Sequence, residues 1–410
     1  MVLKVTVSPD LIGGDVDEGY GKVADAFRAN FAAGHEVGAA VAVYRDGAKV
    51  VDLWGGYRDG ITKAPWQHDT MVNMFSTTKG VAALAVAAAV SRGLFGYDDK
   101  VADHWPEFAQ AGKADVTVRQ LLDHQAGLCA LSPAPTVQDV ADPTKLSVIL
   151  AAQKPAWPPG TRCGYHAITL GWYESELIRR TDPAGRTLGR FFADEIAGPL
   201  ALDLHIGLPD SVDRERVAHL HTWSRAESLL HLNVMKPALV AASLNPVGLL
   251  ARAGSLPRGV VPWAGDYNRD DVRAIEIPSA NGIGSASAVA RLYGAAAAGG
   301  SALGLTASVL HELTAFPTPP SRGLRDRVLR VDVVYAAGLS KPAPICRFGS
   351  SETAFGTPGF GGSFGFADPD TGVGFAYVMN RLGFHLCSDP RELAVRQALF
   401  RDVLGARTQT

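Results

Sequence analysis

Ser76-Thr77-Thr78-Lys79 leads into Val81–Val90, the longest apolar run in the chain. The alanine-rich pattern predicts a helix from Ser76 that stops at Gly93. Of the eleven lysines, only Lys79 has a serine three residues before it. Residues at i and i+3 share one helix face, so the hydroxyl and the amine are neighbours. The first turn of a helix favours developing negative charge, because its N–H groups are unpaired and its dipole end is positive. A desolvated lysine stays neutral enough to take the hydroxyl proton. A serine in this position also reads as the simple N-cap of a core helix. The pair therefore acquires chemical meaning only if the rest of the chain supplies a proton relay and an oxyanion site.

The 410 residues suffice for a large core and two lobes. Apolar content of 47% and charged content of 20% are those of an ordinary globular protein. A net charge of −2 gives no reason to expect nucleic acid or an anionic membrane as partner. Met1–Val16 lacks a basic segment followed by an apolar stretch, and Val81–Val90 is about half a membrane span, which together point to a cytoplasmic protein. Cys129, Cys163, Cys346 and Cys387 form no C-x-x-C pair; free thiols are the simplest expectation, with two disulfides as the alternative. Oligomeric state is not legible in the sequence.

Working outward, Val37–Tyr44 and Val50–Trp54 flank the turn Arg45-Asp46-Gly47 and predict a hairpin. Helical segments are expected at Val118–Leu122, Ile168–Arg180 and Leu188–Ile196, and a short loop at Ala295–Gly300. Strand character returns at Val331–Leu339 and dominates Phe355–Met379. Ser388-Asp389-Pro390 caps a last helix running to Leu404. The expected fold is α/β: an antiparallel sheet built from both termini (residues 1–75 and 282–410), flanked by helices, with a mainly helical lobe (76–281) inserted and the active site between them.

Two further segments bear on the serine–lysine pair. Tyr165 follows the Pro159-Gly160 turn, and a phenol near an ammonium can relay a proton. Gly356-Thr357-Pro358-Gly359-Phe360-Gly361-Gly362-Ser363 precedes a hairpin, and its glycines let backbone approach a ligand. An N–H from this loop can join that of Ser76 in an oxyanion hole.

Together these segments resemble the serine β-lactamase-like superfamily, which includes class C β-lactamases, DD-peptidases and family VIII carboxylesterases. The likeness extends from Ala39 to the terminal helix. It takes in Leu121-Leu122-Asp123-His124 with Gln125-Ala126-Gly127-Leu128, then Pro199-Leu200 and Met379-Asn380. The resemblance implies Ser76 as nucleophile, Lys79 as its proton partner, Tyr165 as general base or acid, and the Phe360 N–H as second oxyanion donor. It implies no metal and no organic cofactor. Two departures shape the expected substrate. Ala167 stands where the superfamily's tyrosine motif usually ends in asparagine, and Thr357 where the third motif usually begins with lysine or histidine. Both point away from cell-wall peptides and towards small uncharged esters, with an amide-bond enzyme or an acyltransferase as alternatives.

His166, Thr357, Gly359 and Gly361 are expected to contribute to substrate binding, with His166 as a compensating polar group. One of Trp223 and Trp263 is expected to line an acyl or alcohol pocket. Gly361-Gly362-Ser363-Phe364-Gly365 matches G-x-S-x-G, but a strand follows it instead of a helix, so Ser363 is not expected to be the nucleophile. His219 and His221 lack a third ligand nearby and read as packing or surface residues, and His124 as a tie for its loop.

Overall fold

Asp46 and Gly47 both take positive φ, 51° and 82°, which lets a two-residue turn follow the twist of the strands it joins. The hairpin they close, β2 (Gly38–Arg45) and β3 (Ala48–Asp59), starts the central sheet. The computed structural model describes residues 5–406 apart from 224–226, 228–229, 235–236 and 262–264. Trp263 lies outside the described residues.

Among the described residues the sheet has nine strands, all antiparallel, in the order β1-β3-β2-β12-β11-β10-β9-β8 with β4 (Ala64–Pro65) on β3. Here β1 is Ile12–Val16, β8 Tyr335–Ala336, β9 Leu339–Ser340, β10 Phe355–Pro358, β11 Phe364–Asp368 and β12 Val373–Met379. The join between the chain's two ends is β2 on β12, in register from Ala39↔Met379 to Arg45↔Val373. All seven residues of β12 are buried, as expected for a central strand covered on both faces.

Helix α1 (Gly21–Ala32) covers one face, with Phe27 edge-on to Tyr377 at 6.4 Å. A second helix, Ala286–Ala297, lies on the other face; a Cβ at Gly374 would strike the backbone of Gly294, so two glycines set how closely helix and sheet meet. The predicted loop at Ala295–Gly300 thus begins as helix, because Ala296 and Ala297 are buried on this contact face.

Between the sheet and the remaining helices runs α2 (Thr77–Ser91), buried at every position from Thr77 to Ala89. Its small side chains let neighbours pack all round it. A three-stranded sheet holds its start: β5 (Val72–Asn73), β7 (Gly282–Gly284) and β6 (Leu204–Ile206), in the order β5-β7-β6. The Gly282 N–H donates to Thr78 Oγ1 at 2.8 Å, and the Met74 N–H to the Gly282 carbonyl at 3.0 Å. Helix α3 (Thr169–Thr181) packs along α2.

Three local expectations change. Val331–Leu339 is not one strand: Ala337 and Gly338 take positive φ (49° and 87°) and fold it into the tight pair β8–β9. Leu188–Ile196 is helical throughout, as read, but changes kind: an α-helix to Phe192 widens into a π-helix over Ala193–Ala197. Cys346 and Cys387 form a disulfide with Cα atoms 5.6 Å apart, while Cys129 and Cys163 are buried free thiols. Among the described residues no helix is long and apolar enough to cross a membrane.

The terminal helix begins as read: Asp389 caps it, accepting from the Arg391 N–H at 3.1 Å, with Pro390 first in the helix. Arg391 is buried and ties three segments together. Its guanidinium donates to Asp389 Oδ1 at 2.7 Å, Glu36 Oε2 at 3.1 Å, and the carbonyls of Arg381 (2.8 Å) and Gly361 (2.7 Å). Arg391→Met would strand two buried carboxylates, and removing one partner of such a network costs about 3–5 kcal/mol. Urea unfolding checks this; a loss below about 1 kcal/mol, the scale of an exposed pair, would show the network to be dispensable.

Candidate active site

Phe75 takes a positive φ of 46°, unusual for a bulky residue, and presents Ser76 at the mouth of α2. Ser76 occupies the N-cap position but makes no capping bond with its side chain, so the simple cap reading is set aside. Its hydroxyl instead lies 3.3 Å from Lys79 Nζ. The amine has two more oxygens within reach, the Ala167 carbonyl at 2.6 Å and the Ser279 carbonyl at 2.8 Å. As an ammonium it donates to all three. As a neutral amine it has two N–H groups, enough for the two carbonyls, and its lone pair then faces the serine hydroxyl. Burial pushes the Lys79 pKa down to about 7, against the opposing charge of Glu174.

Tyr165 sits over this pair, its ring centroid 4.7 Å from Lys79 Nζ. Burial raises the phenol pKa above its ordinary value, with the neighbouring Ser76 hydroxyl acting against it. The resting phenol therefore holds its proton, whereas the sequence allowed either base or acid. The Tyr165 N–H donates to Asp326 Oδ2 at 2.9 Å; Asp326 also accepts from the Val328 and Leu329 N–H groups at 2.7 Å each. Asp326 is thus the anchor of the tyrosine loop.

On the other side of Ser76, the loop after β10 brings up Phe360. Among the described residues no acceptor takes the Ser76 or Phe360 N–H. Gly359 makes the approach possible: a Cβ there would collide with Ser363 Oγ and the Met74 carbonyl and sit 2.8 Å from Thr77 Oγ1. Gly361 takes φ +87° and packs against Leu382. These glycines act through backbone packing.

Phe360 joins an aromatic wall. Its ring lies 5.4 Å from Phe75 and 5.7 Å from Trp223, which stacks on Phe384 at 5.3 Å and 20°. The Trp223 indole donates to the Gly383 carbonyl at 3.3 Å, which fixes this face.

Two expected substrate contacts are corrected. His166 is fully buried and turned away from Tyr165: its Nε2 accepts from the Leu128 N–H at 2.9 Å, and its Nδ1 lies 3.0 Å from His124 Nδ1. His124 Nδ1 also accepts from the His166 N–H at 3.0 Å, so the two rings tie the two loops together. Burial lowers both imidazole pKa values, that of His166 to about 3, and keeps them neutral. Thr357 is likewise buried; its Oγ1 would lie 3.3 Å from a Cβ on Gly80, beside the Tyr293 hydroxyl, so it faces the β10–α2 packing.

Ser363 donates to the Met74 carbonyl at 2.8 Å and pairs with Thr77 Oγ1 at 3.1 Å, beneath the glycine loop. His221 Nε2 accepts from the Gly60 N–H at 3.0 Å. Sequence reasoning missed Ser279, whose carbonyl holds the lysine and whose Oγ accepts from the Gly171 N–H at 2.8 Å. It also missed Glu174, a fully buried carboxyl in the apolar stripe of α3; a charge at core spacing beside Tyr173 and Leu177 was the available signal.

A model of the Beta-lactamase family matches residues 23–400. The chain belongs to that family. It is a serine hydrolase of the serine β-lactamase/transpeptidase superfamily. It is 36% identical over 374 residues to "Esterase/beta-lactamase LipL" of Mycobacterium tuberculosis, covering 90% of this chain and 83% of the relative. Among solved structures it is similar to a family VIII carboxylesterase (36% identity, TM-score 0.82, covering 95% of this chain and 99% of that one). It is also similar to a penicillin-binding protein homologue from Caulobacter crescentus (40% identity, TM-score 0.80, covering 95% and 99%).

Ser363→Ala removes two buried hydrogen bonds without touching Ser76. It is expected to cost about 1–2 kcal/mol of stability while leaving turnover within a few-fold. Thermal melts and single-substrate kinetics check both, and loss of all turnover in a folded variant would make Ser363 a reacting group.

Proposed function

We propose that the protein is a serine carboxylesterase acting on small uncharged esters through an acyl-enzyme on Ser76. The observation that carries this is the combination at Lys79: a buried amine with a serine hydroxyl 3.3 Å away, next to a third motif that begins with a buried threonine and not a cation. An anionic substrate has no such cation to meet there, while the aromatic wall of Trp223 and Phe360 suits an apolar acyl or alcohol group. The relative named as an esterase and β-lactamase, and the carboxylesterase neighbour, support the same class.

In the mechanism, Ser76 Oγ attacks the ester carbonyl carbon while its proton passes to Lys79 Nζ. The carbonyl oxygen becomes an oxyanion held by the Ser76 and Phe360 N–H groups. Tyr165, which keeps its proton at rest, gives it to the departing alkoxide as the C–O bond breaks, and the phenolate left behind takes up the proton held by the Lys79 ammonium. Water then attacks the acyl carbon, losing its proton to the same amine–phenol pair, and the acid leaves Ser76. A competing alcohol in place of water would give acyl transfer. No step calls for a metal or organic cofactor.

With a short-chain p-nitrophenyl ester, Ser76→Ala is expected to lower kcat/KM at least about a thousand-fold. Nitrocefin turnover is expected to be slow in comparison. Rapid nitrocefin turnover without ester hydrolysis would favour the β-lactamase reading; full ester turnover by Ser76→Ala would end the mechanism.

The pH profile follows from Lys79. Its pKa is lowered to about 7, so the amine is protonated and inactive as a base below that pH and becomes available above it. The kcat/KM for a neutral ester is expected to rise with pH through an apparent value near 7. A profile flat across that region would assign the first proton transfer to another group.

A further inference from the structure

Glu174 is a carboxyl with neither solvent nor a hydrogen bond. It is fully buried on α3, and neither carboxyl oxygen has a partner. A group in that state is costly unless a charge of opposite sign is close. Its position identifies that charge. A Cβ placed on Gly338 would lie 3.3 Å from Glu174 Oε1 and 3.1 Å from Ala83 Cβ, so the carboxyl rests over α2 at Ala83, one turn beyond Lys79. The charge of Lys79 lowers the Glu174 pKa, and that of Glu174 raises the Lys79 pKa.

We propose that Glu174 is a positioning residue for the serine–lysine pair, its carboxylate serving as the counter-charge that stabilises the ammonium formed when Lys79 takes the Ser76 proton. This rests on the serine–lysine mechanism above. The proton balance is simple: it moves from Ser76 Oγ to Lys79 Nζ, and Glu174 neither gains nor loses one in that step.

Directions agree with this geometry. Burial raises the Glu174 pKa and lowers that of Lys79, and each residue's charge opposes the effect of burial on the other. Other ionisable groups around the pair are accounted for. Tyr165 and His166 come from the loop before α3, His124 and Asp123 from the preceding loop, and Tyr335 from β8. The two histidines are held neutral by burial and spend their ring nitrogens on each other and Leu128. Asp123 turns to the Ala337 N–H at 2.8 Å, and burial keeps the Tyr165 and Tyr335 phenols protonated.

The test is Glu174→Gln, which keeps shape and removes charge. With lysine carbon-13 labelled at Cε and the Lys79 signal assigned by its loss in Lys79→Met, the amine is expected to titrate at least about one pH unit lower in the variant. The acid limb of kcat/KM for the p-nitrophenyl ester moves down with it, because neutral Lys79 then persists to lower pH. A merely structural role for Glu174 would change the melting temperature and leave both midpoints in place. Reciprocity gives a second arm: in Lys79→Met the Glu174 carboxyl, followed by its own carbon-13 signal, is expected to titrate higher than in wild type. That arm decides the matter if Glu174→Gln does not fold. Unmoved midpoints overturn the proposal. Ester turnover surviving in Ser76→Ala overturns the serine mechanism instead, and the two titrations still report on the pair.

Discussion

A lysine amine sealed inside the protein is the constraint on which the site depends. Burying it requires an oxygen for every N–H it carries, and a helix thin enough for those oxygens to come close. Alanines along α2 meet the second need, and the Ala167 and Ser279 carbonyls with Ser76 Oγ meet the first. Two other buried lysines show what is special here. Lys113 donates to the carbonyls of Gln110, Ala151 and Gln153, and Lys341 to those of Leu313, Thr314 and Thr353. Burial lowers the pKa of both, to about 8 in each case. Lys79 differs in one partner: a hydroxyl replaces the third carbonyl, and a hydroxyl has a proton to give. The same burial that is structural at Lys113 and Lys341 becomes chemical at Lys79.

The second half of the site comes from the far end of the chain. Phe360 follows β10, and β10 reaches the N-terminal hairpin only through β11 and β12. The glycine loop is then held from both sides. Ser363 bonds beneath it to Met74 and Thr77, and Arg391 takes the Gly361 carbonyl from the terminal helix. Such long-range pairing forms late and slowly compared with local helices. Ser76 and Lys79 are neighbours as soon as α2 winds, whereas Phe360 is brought to them only when both ends of the chain have met.

That difference decides what was legible. The Asp46-Gly47 turn, the Asp389-Pro390 cap, α2 and the Ser76–Lys79 pair are local, and each has a local chemical signature. His166 misled because it adjoins Tyr165; in extended backbone adjacent side chains point to opposite faces, so a tyrosine facing the cleft puts its neighbour in the core. Thr357 has the same history on β10. The Cys346–Cys387 link spans 41 residues and depends on packing that no spacing encodes. At Val331–Leu339 the apolar residues serve a different purpose: Val331, Val333 and Tyr335 cluster with Cys163 behind Tyr165, and the backbone folds around Asp326 instead of extending.

Charge around Ser76 then ties substrate choice to fold. Thr357 removes a cation from the third motif, and its buried hydroxyl cannot replace one. Glu174 lies under Lys79, so the positive charge that the amine acquires is offset from within the protein. Both changes act in the same direction, lowering the pull of the cleft on a carboxylate. Under the proposed function, a neutral ester needs only the aromatic wall and the two N–H groups, and the third motif offers a carboxylate no cation. The proposed preference for uncharged substrates would thus follow from the same requirement that keeps Lys79 neutral enough to act: on that reading the positive charge at this site is transient, formed during the reaction and balanced from below.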